Sequence, residues 1–245
     1  MSPTIYPDRP ETPPPSPSAP LPPIVEEDES WESPFKSARG EQPVAYRGTT
    51  SDPVFGYLIA VALSIGLLPL IPADADLRYV LIWTVMAGFG VLAWLLGNSA
   101  RIWMETPENL GWGIIFGLII SVSFLLLGGE TLRVTSQRLF INMSKGEVLA
   151  FLIFVIPLSE TLFFRGVLQE TRPFWVVGTL SSLWSVLVFF PLLDVRAYPA
   201  VALIIFTALV MMNVIYSYVR QRNGLAAAWL CQIVVNMVLL FLPLL

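Results

Sequence analysis

Residues 146–168 read GEVLAFLIFVIPLSETLFFRGVL, an apolar run whose second half contains two ionisable side chains, Glu160 and Arg165. A helix of this length can cross the ~30 Å hydrocarbon core of a bilayer. Similar runs recur from residue 53 onward, and only 13% of the 245 residues are charged, against about 25% in soluble domains. Because a soluble fold could not bury so much apolar surface, the sequence predicts an all-α, polytopic membrane helix bundle.

Short polar breaks divide the apolar part of the chain into about seven predicted transmembrane helices. Each segment has close to the ~20 residues that a transmembrane helix needs. Between the third and fourth segments, residues 130–145 mix apolar and basic side chains, and we expect a helix lying at the membrane interface there. The seven predicted helices cover residues 53–71, 77–96, 110–127, 146–168, 174–193, 198–218 and 224–245.

The first 52 residues differ in composition from the rest of the chain. The stretch PPPSPSAPLPP favours polyproline II, and the acidic EEDESWE after it lacks the apolar surface needed to fold. We therefore predict a disordered, proline-rich acidic tail at 1–52. The N-terminal transmembrane helices and the interfacial helix then occupy 53–145, and a four-helix transmembrane core occupies 146–245.

Charge and reactive side chains exclude several classes of function. Lysines and arginines are scattered singly near predicted helix ends, as topology determinants are, so we expect lipid and no nucleic acid as a partner. The chain has no histidine and its single cysteine is Cys231, so we expect no metal, no cofactor and no disulfide. The distribution of basic residues favours a multi-pass protein of the cell membrane with a cytoplasmic N-terminus.

Polar residues inside the apolar spans are the first candidates for function, because burying them in lipid is costly. Glu160 and Arg165 are five residues apart, about 140° around an ideal helix, so we expect them to face other helices. A structural account is equally open, with Glu160 a buried hydrogen-bonded group and Arg165 reaching to the head groups at a helix end. Asn213, in the sixth predicted helix, either joins these residues or bonds to a neighbouring helix.

Two further predicted helices carry polar pairs one turn apart, and each pair therefore lines one helix face. Ser181 and Ser185 form the first pair, and small hydroxyl residues usually just permit close helix packing in bilayers. Gln232 and Asn236 form the second pair. Two amides in lipid require hydrogen-bond partners, and we expect Glu160 to be one of them.

The stretch IPLSETLFFRGVLQ resembles the first motif of the CAAX-processing and bacteriocin-processing (CPBP) family of intramembrane endopeptidases, which is EExxxR followed by glycine. Glu160 stands at the first glutamate, Thr161 at the second, and Arg165 with Gly166 at the arginine and glycine. The resemblance extends from about residue 146 to the C-terminus, so the predicted four-helix core is CPBP-like.

The second and third motifs of the family have counterparts that lack histidine. TLSSLWSVLVFF is similar to the serine-rich helix with FxxxH, but Ser185 replaces the phenylalanine and Phe189 the histidine. GLAAAWLCQIVVNMV is similar to the closing HxxxN motif, with Gln232 in place of histidine and Asn236 as the asparagine. All three motifs occur in the family's order on successive predicted helices.

The resemblance implies roles for these residues. In the family, the first glutamate and the second motif's histidine activate water, and the last histidine and asparagine stabilise the oxyanion. Glu160, Arg165 and Asn236 are therefore the motif-matched catalytic residues, and Thr161, Ser185 and Gln232 are expected to line the cavity. Both histidines are missing, which removes groups that can move a proton.

We therefore expect a non-proteolytic CPBP-family member that uses its intramembrane cavity to bind a hydrophobic ligand, a peptide or a membrane-protein partner. Two alternatives stay open: an active glutamate-dependent endopeptidase, and a membrane anchor or assembly protein that recruits partners through its tail. A small transporter or channel subunit is a further alternative. Against it, the predicted spans contain few charges beyond Glu160 and Arg165.

Overall fold

A computed structural model of the chain describes residues 53–72, 74–95, 106–193 and 195–245. Within these residues every regular element is helical, which confirms the predicted all-α fold. The predicted tail at 1–52 lies outside the described residues. The helices are α1 (Pro53–Leu70), α2 (Ala75–Leu95), α3 (Pro107–Leu139), α4 (Lys145–Thr171), α5 (Phe174–Phe189), α6 (Pro199–Asn223) and α7 (Leu225–Leu244).

Six of the described helices are long and apolar enough to cross a membrane, and α5 is shorter, with 16 residues. At 1.5 Å per residue α5 spans about 24 Å, less than the ~30 Å hydrocarbon core, and a 3₁₀ turn at Phe190–Leu192 extends it. The chain is thus a multi-pass membrane helix bundle with the predicted number of helices.

Local sequence signals define several helix ends. Thr106 caps α3 by accepting a hydrogen bond from the Asn109 backbone N–H, and Pro107 follows as the first helical residue. Ser144 and Glu147 form a capping box at the start of α4. Gly224 alone separates α6 from α7, and its φ of 97° is a conformation that glycine adopts readily.

The third helical segment is divided near its predicted end. It runs from Pro107 to Leu139, but Gly128 has a non-helical backbone, with φ of −148° and ψ of 30°, and a kink there separates two helical parts. The predicted boundary between a helix ending at 127 and a second helix from 130 is therefore confirmed, although the second part ends at Leu139 and not at 145. Glycine has a low helix propensity, which suits it to such a kink. An interfacial location for the second part remains a prediction.

The fourth helix is irregular where the polar residues lie. Two π-helical segments, Phe151–Val155 and Thr161–Leu168, flank a regular turn at Ile156–Glu160. Pro157 lies in that turn and has no backbone N–H to donate. Short π-helical segments within α-helices frequently occur at functional sites. The irregular backbone therefore coincides with the first motif.

Two buried clusters hold the bundle together. In the first, Trp83 of α2 is fully buried and makes edge-to-face contacts with Trp184 and Phe151, each with ring centroids 5.5 Å apart. In the second, α3 and α7 approach closely, and an added Cβ at Gly113 would lie 2.3 Å from the Ala227 carbonyl oxygen. Small residues permit this approach, as they do in membrane helix pairs generally.

Candidate functional site

The Glu160 carboxyl is buried in the bundle and receives two hydrogen bonds. Trp83 of α2 donates its indole N–H to Oε1 at 3.1 Å, and Gln232 of α7 donates its amide Nε2 to Oε2 at 2.5 Å. The expected bond between Glu160 and an amide of the last helix is therefore present. Each carboxyl oxygen has one protein donor, and neither donor is a group that shuttles protons at ordinary pH.

Gln232 also pairs with the residue that follows the glutamate. The Thr161 hydroxyl donates to the Gln232 Oε1 at 3.0 Å. Thr161 occupies the second glutamate position of the first motif, and Gln232 occupies a histidine position of the third. The two departures from the family pattern thus contact each other, and an uncharged pair stands where the family has two ionisable side chains.

Arg165 points into the bundle, so the alternative in which it reaches to the head groups is wrong. Its side chain is fully buried and donates to the Asn213 Oδ1 at 2.8 Å. Its Cζ lies 5.3 Å from the centroid of the Tyr216 ring and 5.6 Å from that of Phe164, which places the cation against aromatic faces. Its Nε and Nη1 groups have no hydrogen-bond partner among the described residues.

Asn213 connects this arginine to α5. Its amide Nδ2 donates to the Ser185 hydroxyl at 3.1 Å and to the Leu209 carbonyl at 3.0 Å. Ser185 in turn donates to the Ser181 carbonyl at 2.9 Å. Ser185 therefore takes part in a buried hydrogen-bond chain between helices, in addition to permitting close packing.

Asn236 does not contact Glu160 but satisfies a backbone carbonyl of α4. Its Nδ2 donates to the Leu152 carbonyl at 3.2 Å. In the π-helical segment a backbone N–H bonds to the carbonyl five residues earlier, as the Ile156 N–H does to the Phe151 carbonyl. The matching donor for the Leu152 carbonyl would be Pro157, which has no N–H. A backbone carbonyl without a partner is costly in lipid, so the Asn236 amide replaces a donor that Pro157 cannot provide.

These polar side chains share a cavity of about 460 Å³ between α3, α4, α5, α6 and α7. Apart from a few threonines and tyrosine, its remaining walls are apolar. Phe189, which stands in the place of the family's second-motif histidine, is one of the apolar lining residues. The other polar side chains of the lining are one carboxyl, one serine hydroxyl and three amides, which belong to Glu160, Ser185, Asn213, Gln232 and Asn236.

Two of the polar lining residues, Ser185 and Asn213, lie on the same side of the bundle. α5 and α6 are antiparallel, because Phe174 contacts Tyr218 at one end of the pair and Phe190 contacts Phe206 at the other. α4 and α7 are also antiparallel, since Glu160 pairs with Gln232 and Leu152 with Asn236. Ser185 precedes the apolar lining residues on α5 and Asn213 follows those on α6, so both lie on the same side of the bundle.

Four of the six predicted site residues line the cavity. The other two, Thr161 and Arg165, lie behind its wall and contact lining residues, Gln232 and Asn213 respectively. Sequence reasoning missed Trp83, which lies 77 positions from its partner Glu160. The signal that could have indicated this contact is the tryptophan within an apolar span, because a buried indole N–H usually has a hydrogen-bond acceptor.

The described residues contain no group of three or more His, Cys, Asp or Glu side chains that could hold a metal ion. Glu160 is the one acidic residue on the cavity wall. Structurally, the site offers acceptor oxygens and amide donors, together with an apolar space for a ligand.

Comparison with known proteins gives one match. Residues 146–238 match the model of a family described as type II CAAX prenyl endopeptidase Rce1-like. No curated protein and no solved structure matches the chain. The matched segment begins with α4 and continues into α7, and it contains all three motifs. Residues 146–238 are therefore similar to the Rce1-like CAAX prenyl endopeptidases, in agreement with the CPBP-type family that the motifs predicted.

Proposed function

We propose that this protein is a non-proteolytic member of its family that binds a hydrophobic ligand in the intramembrane cavity. The observation that carries the proposal is the hydrogen bond from Gln232 to Glu160. Peptide hydrolysis requires a base that takes a proton from water and a group that returns it. Here an amide that can donate a hydrogen bond but cannot relay a proton contacts Glu160, the only carboxyl that the described residues place on the cavity wall.

The aromatic residue at the second histidine position supports the same conclusion. Phe189 lines the cavity and offers neither a proton nor a lone pair to a water molecule. General acid–base catalysis contributes about 10²- to 10⁴-fold to a typical rate. Arg165 cannot replace it, because a guanidinium does not lose its proton in a protein.

The cavity has the size and the lining of a binding site. Its volume of about 460 Å³ falls within the roughly 300–1,000 Å³ of small-molecule pockets. A mostly apolar wall with a few grouped polar side chains is the usual composition of such pockets. Lipid surrounds the helices, so apolar ligands are concentrated around the bundle.

A second function, glutamate-dependent cleavage of a prenylated peptide, is favoured by one observation. Glu160 and Asn236 are retained and line the same cavity. A cleavage assay separates the two functions, using the purified full-length protein in lipid vesicles with a farnesylated CAAX peptide. We expect no turnover above that of empty vesicles. Turnover that disappears in Glu160→Gln would overturn the binding proposal and establish a peptidase.

We further propose that the protein resides in the cell membrane with a cytoplasmic N-terminus, as the distribution of basic residues favours. Residues 1–52 are proposed to form a proline-rich tail on that side. An anchoring role through this tail is the remaining alternative, and the deletion described in the Discussion tests it.

A further inference from the structure

We propose that the ligand is an uncharged, single-chain amphiphile whose head group donates a hydrogen bond, from a hydroxyl or an amide N–H, to Asn236 and Glu160. This inference rests on the proposed function and specifies its ligand. Three features of the cavity carry it: the unused hydrogen-bonding capacity of the polar end, the charge balance there, and the dimensions of the apolar end.

Two of the polar lining residues have no hydrogen left to donate. Asn213 uses both amide hydrogens, for Ser185 and Leu209, and its carbonyl accepts from Arg165. The Ser185 hydroxyl both donates and accepts. Neither residue therefore offers a hydrogen-bond donor to a ligand.

Acceptor oxygens remain available on Asn236 and Glu160. The Leu152 carbonyl can only accept, so it must face the NH₂ of Asn236, and this contact sets the amide orientation. None of the described residues donates to the Asn236 Oδ1, on the cavity wall. Each Glu160 oxygen accepts one hydrogen bond and has a further lone pair. A ligand that satisfies these oxygens must be a donor.

The charge balance favours a neutral head group. Glu160 and Arg165 are both buried, and an ionised Glu160 balances the positive charge of Arg165. A carboxylate or phosphate head would add an anion beside Glu160. An ammonium head would leave one cation in excess, because Glu160 already balances Arg165. An uncompensated charge within the bilayer is costly in either case.

The apolar end sets the number and length of the chains. A volume of about 460 Å³, at ~30 Å³ per non-hydrogen atom, holds about 15 such atoms. One chain of about 14 carbons with a hydroxyl fills this space, and a two-chain lipid does not fit. Leu127 of α3 and Ile204 of α6 line the cavity while being 85% and 60% exposed, so the cavity reaches the outer surface between these helices. An amphiphile can enter there from the membrane.

The test compares four 14-carbon probes that differ only in the head: tetradecanol, tetradecanoate, tetradecylamine and tetradecane. Binding to the full-length protein in detergent is measured by native mass spectrometry and by the shift in Tm. We expect tetradecanol to bind at least about 10-fold more tightly than the other three. Tighter binding of the acid or the amine, or equal binding of the alkane, would overturn the head-group inference and leave the cavity proposal intact.

Two variants with matched controls locate the binding. Asn236→Leu removes the acceptor, and we expect the preference for tetradecanol over tetradecane to fall toward unity while tetradecane still binds. Asn142→Leu, at an exposed position, should keep the preference. Ala208→Phe fills the cavity and should abolish binding of all four probes, whereas Ala150→Phe, at an exposed position on α4, should not. If no probe binds, or if Ala208→Phe changes nothing, the proposed cavity function itself fails.

Discussion

At the scale of single residues, the proposed absence of peptidase activity depends chiefly on what surrounds one carboxyl. Trp83 and Gln232 each donate to one oxygen of Glu160, so the carboxyl is engaged by helices on two sides. The same residue type that could act as a base with an imidazole beside it is here an acceptor in a structural network. Two predictions follow from these contacts, one on stability and one on chemistry.

The first concerns the coupling between Trp83 and Glu160. Trp83→Phe removes the indole N–H and leaves the Oε1 of Glu160 without its donor, which typically costs about 1–3 kcal/mol for a buried group. We expect a double-mutant cycle of Trp83→Phe with Glu160→Gln to give a coupling free energy of about 1 kcal/mol or more. The free energy of unfolding in detergent micelles, from denaturant titration, measures it. Trp175→Phe, at an exposed tryptophan, serves as the control and should show no coupling.

The second concerns the lost histidines. Phe189 and Gln232 both line the cavity with Glu160, so imidazoles at these positions would face the carboxyl across a common space. We expect the double variant Phe189→His with Gln232→His to cleave a farnesylated CAAX peptide at least about 10²-fold faster than the parent. The same pair in a Glu160→Gln background should be inactive. Equal turnover by the parent and the double variant would show that the histidines are not what the site lacks.

At the scale of the elements, Pro157 and the π-helical segment of α4 create a backbone acceptor that α7 satisfies. Asn236→Ala should therefore destabilise the parent by about 1–3 kcal/mol, because the Leu152 carbonyl loses its donor in lipid. In a Pro157→Ala background the helix regains an N–H near this carbonyl. In that background we expect Asn236→Ala to lower the free energy of unfolding by at most half as much as in the parent, as measured by denaturant titration. Equal losses in both backgrounds would contradict the role assigned to the proline.

The contact between α3 and α7 depends on glycine in α3. An added Cβ at Gly117 would lie 2.9 Å from both the Cys231 carbonyl oxygen and the Val234 Cβ, so backbone would have to move. We expect Gly117→Ala to lower the free energy of unfolding by about 1–3 kcal/mol, as overpacking does. Gly111→Ala is the matched control, since nothing lies within 4 Å of its added Cβ, and its higher helix propensity should leave stability unchanged or raise it. Equal effects would show that close packing at Gly117 is unimportant.

The helices could be predicted from the sequence, because the length of an apolar run is a local property. The bond between Glu160 and an amide of the last helix could also be predicted, because buried polar side chains in a membrane need partners. The contacts of Trp83 and Asn236 could not be predicted. The first joins residues 77 positions apart, and the second needs the position of a carbonyl that Pro157 leaves without a donor. The kink at Gly128 could be predicted, because two glycines and a change to mixed polarity are typical of a helix end.

At the scale of the whole molecule, the cavity requires helices on both sides of residue 146. Only residues 146–238 match the family, yet Trp83 of α2 contacts Glu160, and α3 forms one wall of the cavity from Phe124 to Leu139. α2 and α3 therefore complete a site whose motif residues all come later in the chain. The proposed binding unit is larger than the segment that the family match covers.

Removing the tail distinguishes a cavity-binding protein from an anchor. The described residues, which begin at Pro53, contain every residue of the cavity. A variant lacking residues 1–46 keeps Arg47 as a basic residue before α1, which favours the same orientation. We expect this variant to bind tetradecanol with an affinity within about two-fold of that of the full-length protein, because all cavity residues remain. Native mass spectrometry of both proteins measures this. If the tail recruits partner proteins, the deletion should remove them from the purified protein. If the deletion removes both the partners and tetradecanol binding, the cavity does not act alone.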